Sequence, residues 1–380
     1  MRVAIFCHSL VSDWNHGNAH FLRGITSELL RRGHDVRVFE PVDSWSRENL
    51  VDQHGPESVY EFRIAYPQLT STRYDERQID LDAALDETDL VIVHEWNTPE
   101  LVRRIGAHRE RAHRYRLLFH DTHHRSATEP ESMAAYDLSN YDGVLAFGEV
   151  IRQAYLDRKW AARAWTWHEA ADTSVFKPLP CPGDKKDVVW IGNWGDDERT
   201  AELSEFLFEP VRSLGLRAQA YGVRYPEQAK AILAMAGMAY RGWLPNHRVP
   251  ETFARFSATV HIPRRPYTEA LPGIPTIRVF EALACGIPLV CSPWVDAEGL
   301  FRPGIDFLIA SDGEEMKRHL QDLLNDEDMA AELVGNGLET IAAKHTCAHR
   351  VDELLDICLE LGMPDRVAAQ PAGAALRRTR

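Results

Sequence analysis

Residues 272–291, PGIPTIRVFEALACGIPLVC, read as a loop, a short helix and a buried strand. Pro275 stands at the helix entry, where a missing N–H costs nothing. Phe280, Leu283 and Ala284 recur at i, i+3 and i+4 and form an apolar face. Gly286 is placed to end the helix, and IPLVC (287–291) is a short apolar run suited to a parallel strand. Glu281 breaks the pattern. It lies beside Phe280 in the apolar half, and a carboxylate buried without a partner is expensive. Arg278, one turn earlier, can pair with it. Alternatively, Glu281 accepts hydrogen bonds from two vicinal hydroxyls of a ribose, while Arg278 and the helix N-terminus face phosphate. The residues alone leave both readings open.

The same alternation runs outward from this unit. DVVWIGN (187–193), LRAQAYG (216–222), MAYRGWL (238–244), ATVHIP (258–263) and FLIAS (307–311) predict strands with helices between them. In the first half, VAIFC (3–7), DVRVFEP (35–41), DLVIVHEW (89–96), RLLFHDTHH (116–124) and GVLAFGE (143–149) do likewise. Phe21, Leu22, Ile25, Leu29 and Leu30 recur at helical spacing, and Gly33 closes that helix. The pattern predicts α/β architecture with doubly wound parallel sheets, whose ligands sit beyond the carboxyl ends of strands. His8, His94, Glu95, His120, Asp121, His123 and His124 fall at such ends. The expected organisation is a first domain over 1–171, a proline-rich linker over 172–186 and a second domain over 187–345. A C-terminal helix over 346–362 is expected to pack back on the first domain, followed by a disordered tail over 363–380. The polar stretch 47–77 gives no assignment.

The chain has 380 residues, enough for two full cores, and 44% of them are hydrophobic. Its 57 acidic residues against 43 basic give a formal charge of −14. Such a surface repels nucleic acid and anionic lipid, so an anionic ligand must be met by local arginines. The six cysteines form no Cys-x-x-Cys pair and mostly sit in apolar segments, as reduced thiols of a cytoplasmic protein would. No run of about 18 apolar residues is present to span a membrane. The start, MRVAIFCHSL, is too short for a signal-peptide core.

The run FEALACGIPLV (280–290) resembles the second half of the glutamate signature of the GT-B glycosyltransferases of family four. RVFEALACG after a proline-rich loop is similar to the CgeB-type, group-one glycosyltransferases. GNAHFLRGITSELLRRGHDVRVFEP (17–41) resembles the first helix and second strand of that fold, with Asn18 where a second glycine often stands. DLVIVHEWNTPEL (89–101) resembles the family's D-hydrophobic-V-H strand end. WHEAADTSVFKPLP (167–180) resembles the entry to the second domain, with Ala170 and Asp172 at its glycine and aspartate. The resemblance implies two Rossmann-like domains facing a cleft, with Glu281 holding the ribose of a nucleotide sugar. The first glutamate of the signature falls at Gly273.

Three stretches carry candidate chemistry. WIGNWGDDERTAEL (190–203) is a strand, a glycine-bearing turn and a helix start. Gly192, Asn193 and Gly195 can present backbone N–H groups to phosphate, with Arg199 adding charge. The plain alternative is an ordinary turn with an Arg199–Glu202 surface pair. HIPRRPY (261–267) sets Arg264 and Arg265 before Tyr267, and a diphosphate needs about two positive charges when no metal is present. Thr276 and Arg278 complete the expected nucleotide-sugar set. HDTHH (120–124) offers His123, Asp121 and His120 as catalytic candidates. A turn capped by Asp121 and Thr122 is the alternative. The stretch lacks a metal-binding pattern, so no metal is expected. Gly17, Asn18, His20 and His94 are expected on the acceptor or sugar side.

No Walker loop, Gly-x-Ser-x-Gly or Gly-x-Gly-x-x-Gly fingerprint occurs, which argues against a two-domain NAD-dependent dehydrogenase. The expectation is a cytoplasmic, metal-independent glycosyltransferase with a nucleotide sugar as co-substrate and no other cofactor. Its C-terminal half holds the nucleotide diphosphate and its N-terminal half the acceptor, be it glycan, lipid-linked sugar, protein or small molecule. The resemblance implies retention of configuration. A GT-B sugar-nucleotide epimerase and an inactive nucleotide-sugar-binding scaffold are the alternatives.

Overall fold

The computed structural model describes residues 1–112, 114–195 and 197–364. Most of the expected tail therefore lies outside the described residues. Seven strands form the first sheet: β1 (Arg2–Phe6), β2 (Asp35–Pro41), β3 (Ser71–Tyr74), β4 (Leu90–His94), β5 (Arg116–Asp121), β6 (Gly143–Ala146) and β7 (Ala164–Thr166). Their spatial order is β3-β2-β1-β4-β5-β6-β7. Six form the second: β8 (Lys186–Ile191), β9 (Ala218–Tyr221), β10 (Met238–Tyr240), β11 (Phe256–His261), β12 (Leu289–Cys291) and β13 (Leu308–Ile309). Their order is β10-β9-β8-β11-β12-β13. All pairings between these strands are parallel. The two doubly wound sheets expected from the alternation are present.

Both faces of each sheet are buried, which is why the strands read as continuous apolar runs. In β1, Val3 and Ile5 enter one core layer and Ala4 and Phe6 the other. In β8, Val188 and Trp190 face one side, Val189 and Ile191 the other. The stretch without an assignment holds helices Trp45–His54 and Glu57–Ala65 and the edge strand β3. The first of these helices has almost no amphipathic stripe, so periodicity could not find it.

The chain crosses between the sheets twice. After β7 it runs to β8, and helix Cys347–Glu360 returns to pack on helix Ala19–Arg31. Val351, Leu354 and Ile357 join Phe21, Leu22 and Ile25 in one core cluster. Gly24 permits this approach: a Cβ there would collide with Sγ of Cys347 and lie 3.3 Å from its Cβ. Among the described residues, no helix is long and apolar enough to cross a membrane.

Candidate functional site in the interdomain cleft

In each sheet the strand order reverses beside the first strand, between β1 and β4 and between β8 and β11. Open parallel sheets bind ligands at that point. Here the carboxyl ends of both sheets border one cavity of about 700 Å³. That is ample for a small-molecule site. One wall comes from the first sheet and carries Trp14, Asn15, Gly17, Asn18, Trp45, Trp96, His123 and Glu169. The facing wall carries Gly192, Asn193, Arg199, Arg224, His261, Arg264, Tyr267, Thr276 and Arg278.

The loop after β1 is held by buried charge. Glu40, fully buried, accepts from the N–H groups of Leu10 and Val11. Arg23 donates to the carbonyls of Leu10 and Val11, each at 2.8 Å, and to Asp13 at 2.8 Å. Asp13 in turn accepts from Nε1 of Trp243 at 2.9 Å and from the Asn246 N–H at 3.1 Å. The loop is thus fixed to both domains. At its tip Asn15 accepts from Nδ2 of Asn193 at 2.5 Å across the cleft.

The second wall is cationic. Arg199 donates to two backbone carbonyls, those of Ile262 (2.9 Å) and Asn193, and lies 5.1 Å over the ring of Trp190. Among the described residues its Nε has no partner. Burial, with the neighbouring Arg264 and Arg278, lowers its pKa to about 10. Arg199 remains charged at neutral pH, among like charges and without a carboxylate of its own. These three cations, with Arg224 on the same wall of an acidic protein, fit an anion between them. Arg264 contacts Glu198 at 3.0 Å and Arg278 contacts Glu281. His261 bonds Oγ1 of Thr276 at 2.9 Å, and burial with the charges of Arg199 and Arg278 depresses its pKa to about 3. It is therefore neutral and adds no further charge.

The first wall is aromatic. Trp14 and Trp45 meet edge-on at 6.2 Å, Trp45 and Trp96 at 6.5 Å, and Trp96 and His123 at 5.1 Å. Arg125 lies 4.4 Å over Trp96. Burial depresses the pKa of His123 to about 2, with help from His124. Among the described residues its Nδ1 has no partner. His123 is thus a neutral imidazole with an unused ring nitrogen.

Of the residues expected in the site, Gly17, Asn18, His123, Gly192, Asn193, Arg199, Arg264, Tyr267, Thr276 and Arg278 meet on the cavity wall. The others stand elsewhere. Glu281 is fully buried behind the wall and accepts from Nδ1 of His20 (3.0 Å), Nδ2 of Asn246 (2.6 Å) and Arg278. Nε2 of His20 accepts from the Asp172 N–H at 2.8 Å, so the ring proton sits on Nδ1 and is aimed at Glu281. His94 is buried between Asn18 (3.1 Å) and Thr122 (3.0 Å). His120 packs against Phe21 and Trp167. Asp121 is fully buried, accepting from the His123 N–H (3.1 Å) and the Tyr155 hydroxyl (2.9 Å). It braces the turn that presents His123, while burial lifts its own pKa to about 6. Arg265 turns away to Glu202 and the Asp197 carbonyl, so Glu202 is not the partner of Arg199.

Sequence reasoning passed over Trp14, Trp45, Trp96, Glu169 and His261. Trp14 and Trp96 follow strand ends inside otherwise polar segments, and that mismatch was the available signal. Trp45 lies two residues before the stretch without an assignment. Glu169 and His261 sit inside motifs quoted for other residues. Among the described residues, no cluster of three or more His, Cys, Asp or Glu is arranged to hold a metal ion.

Two parallel sheets facing one cleft give the chain the GT-B fold. Residues 199–356 match the family described as Glycosyl transferase-like. A search of the curated proteins found no match. Among solved structures, an α-glucosyltransferase in complex with UDP shares 13% identity at a TM-score of 0.69, over 94% of this chain and 100% of that one. HepE of Anabaena, in complex with UDP and glucose, shares 14% at 0.65, over 95% and 100%. Sucrose-phosphate synthase of Thermosynechococcus elongatus shares 13% at 0.64, over 95% and 99%. At such identities the likeness speaks for the fold.

Proposed function

We propose that the protein transfers a sugar from a nucleotide-sugar donor to an acceptor hydroxyl across the cleft. The observation that carries this reading is the convergence of Arg199, Arg264 and Arg278 on one wall, opposite an aromatic wall with a neutral histidine. The cationic wall takes the donor diphosphate, and Gly192 with Asn193 lets the backbone come close to it. The aromatic wall takes the acceptor. Similar structures in complex with UDP support a nucleotide diphosphate as the ligand.

Chemistry then rests on placement and charge. The sugar's anomeric carbon leaves the diphosphate oxygen and joins the acceptor oxygen. Arg199 and Arg264 hold the charge that develops on the leaving diphosphate, a role that needs no reorganisation at the moment of reaction. Nδ1 of His123 can orient the acceptor or sugar hydroxyl by a hydrogen bond. The resemblance to family four supports retention, with the leaving diphosphate receiving the acceptor proton. We also infer that the arginines supply the charge a metal would otherwise bring. Buried free thiols, five of six cysteines, support a cytoplasmic setting.

Thermal shift against a panel of nucleoside diphosphates and nucleotide sugars tests the donor site, since a ligand of the folded state raises its stability. Turnover is then read as nucleotide released only when acceptor is present, and it should survive EDTA. Free epimerised sugar would instead mark an epimerase, and binding without turnover an inactive scaffold.

A further inference from the structure

Glu169 stands on the cavity wall where the domains meet and is 7% exposed. Its Oε1 accepts from Nδ2 of Asn18 at 3.0 Å. The N–H of Ile277, first residue of helix Ile277–Cys285, bonds the same carboxyl. Among the described residues Glu169 forms no ion pair. The charged and titratable groups around it are Arg278 and Glu281 on that helix, Tyr267 before it, and Cys347 opening the C-terminal helix. Its neighbour His168 is turned to Glu298 at 3.0 Å.

Opposed influences meet at this carboxyl. Burial and the charge of Glu281 favour the neutral acid; Asn18, Ile277 and Arg278 favour the carboxylate. Burial prevails and lifts the pKa to about 7. A diphosphate arriving beside Arg278 and the helix N-terminus, to which Glu169 is hydrogen-bonded across the cleft, adds negative charge close to this carboxyl and shifts the balance towards the protonated acid. The protonated carboxyl is then a hydrogen-bond donor where the carboxylate would repel.

Resting on the reading of the cleft as a nucleotide-sugar site, we propose that Glu169 is a proton-carrying binding residue for the donor diphosphate, taking up a proton from solvent as the nucleotide sugar binds. Affinity then falls as pH rises above neutrality. The test is calorimetric titration of the full chain with UDP-, ADP-, GDP- and dTDP-glucose at pH 7.5, in buffers of different ionisation enthalpy. Nucleotide sugars are the probes because their phosphates do not titrate near neutrality. A group at about 7 that becomes fully protonated should take up about 0.8 proton. Glu169→Gln should bind with almost no uptake and with affinity flat from pH 7 to 9, whereas wild-type affinity should drop towards tenfold per pH unit. Asn18→Ala removes a bond that favours the carboxylate and should move the uptake profile to higher pH, a second handle if Glu169→Gln does not fold. Wild-type binding without proton uptake, or unchanged uptake in Glu169→Gln, overturns this inference and leaves the donor reading standing. Failure of every nucleotide sugar to bind overturns both.

Discussion

Removing the Glu281 carboxylate should loosen the joint between the domains before it touches ligand binding. The side chain is fully buried and serves three donors: His20 from the first domain, and Asn246 and Arg278 from the second. In Glu281→Ala the His20 ring N–H and the Asn246 amide lose their acceptor inside the protein, at about 1–3 kcal/mol each. The Arg278 side chain keeps 19% of its exposure and can turn to solvent, so its loss is smaller. The His20 and Asn246 losses together, about 2–6 kcal/mol, bracket the roughly 3–5 kcal/mol that breaking a buried ion pair costs. Glu281→Gln keeps one acceptor oxygen and should lose roughly half as much. The pH dependence has a definite sign. Burial raises the Glu281 pKa, but Arg278, His20 and Asn246 outweigh it and hold the group below its usual value. Its stabilisation is therefore present above the unfolded carboxyl pKa of about 4.3 and is lost as pH falls through the depressed folded value. Urea unfolding followed by circular dichroism at pH 7.5 reads the loss, and a pH series should show the gap between Glu281→Gln and wild type narrowing below about pH 4. A Glu281→Ala protein within about 1 kcal/mol of wild type that had lost nucleoside-diphosphate affinity would refute the reasoning and return Glu281 to the ribose.

Arg199→Ala and Arg264→Ala should each weaken nucleoside-diphosphate binding by roughly 10- to 100-fold in calorimetry while barely changing nucleoside binding, the loss of one charge-assisted contact. Arg265→Ala, one residue further on but facing Glu202, should leave both affinities unchanged. His123→Ala should lower turnover and hold nucleotide affinity within a factor of about two, because His123 stands on the opposite wall. Lost nucleotide binding there would mean that the roles of the two walls are reversed.

The two-fold alternation was legible because a strand buried on both faces is an apolar run whatever its neighbours do. The cationic wall was legible for a related reason: Arg199, Arg264 and Arg278 sit at strand ends and a helix start, where topology must bring them to one edge. What the sequence could not reveal is depth. Glu281 and Arg278 are one turn apart, yet one faces the cavity and the other lies behind it. His120 and His123 belong to one five-residue run, but the turn braced by Asp121 sends His123 to the cavity and leaves His120 behind it. Such one-layer distinctions depend on which partner each polar atom finds, and those partners lie far along the chain. His20 and Glu281 meet although they are 261 residues apart.

Gly273 shows how a departure from a family pattern acquires a physical reason. A glutamate at this position has no room. The backbone holds φ at +93°, a region that side chains rarely adopt, and a Cβ would lie 2.8 Å from Cγ of Glu298. The Gly273 N–H donates to the Val295 carbonyl at 2.7 Å, fixing the turn in that conformation. A carboxylate is nonetheless present, supplied by Glu298. Its Oε1 accepts from the Glu149 N–H at 2.8 Å, and its Oε2 lies 3.0 Å from Nε2 of His168. Both partners belong to the first domain. The carboxylate beside Gly273 is thus committed to joining the domains, and it does not line the cavity. If the donor sugar is gripped by polar side chains, they must come from elsewhere on the cavity wall. Asn18, His123 and Glu169 stand there with hydrogen-bonding groups directed by fixed partners. Sugar specificity in this chain should therefore follow substitutions on the first domain's wall, and grafting a glutamate at 273 should disturb the domain joint without conferring a new donor preference.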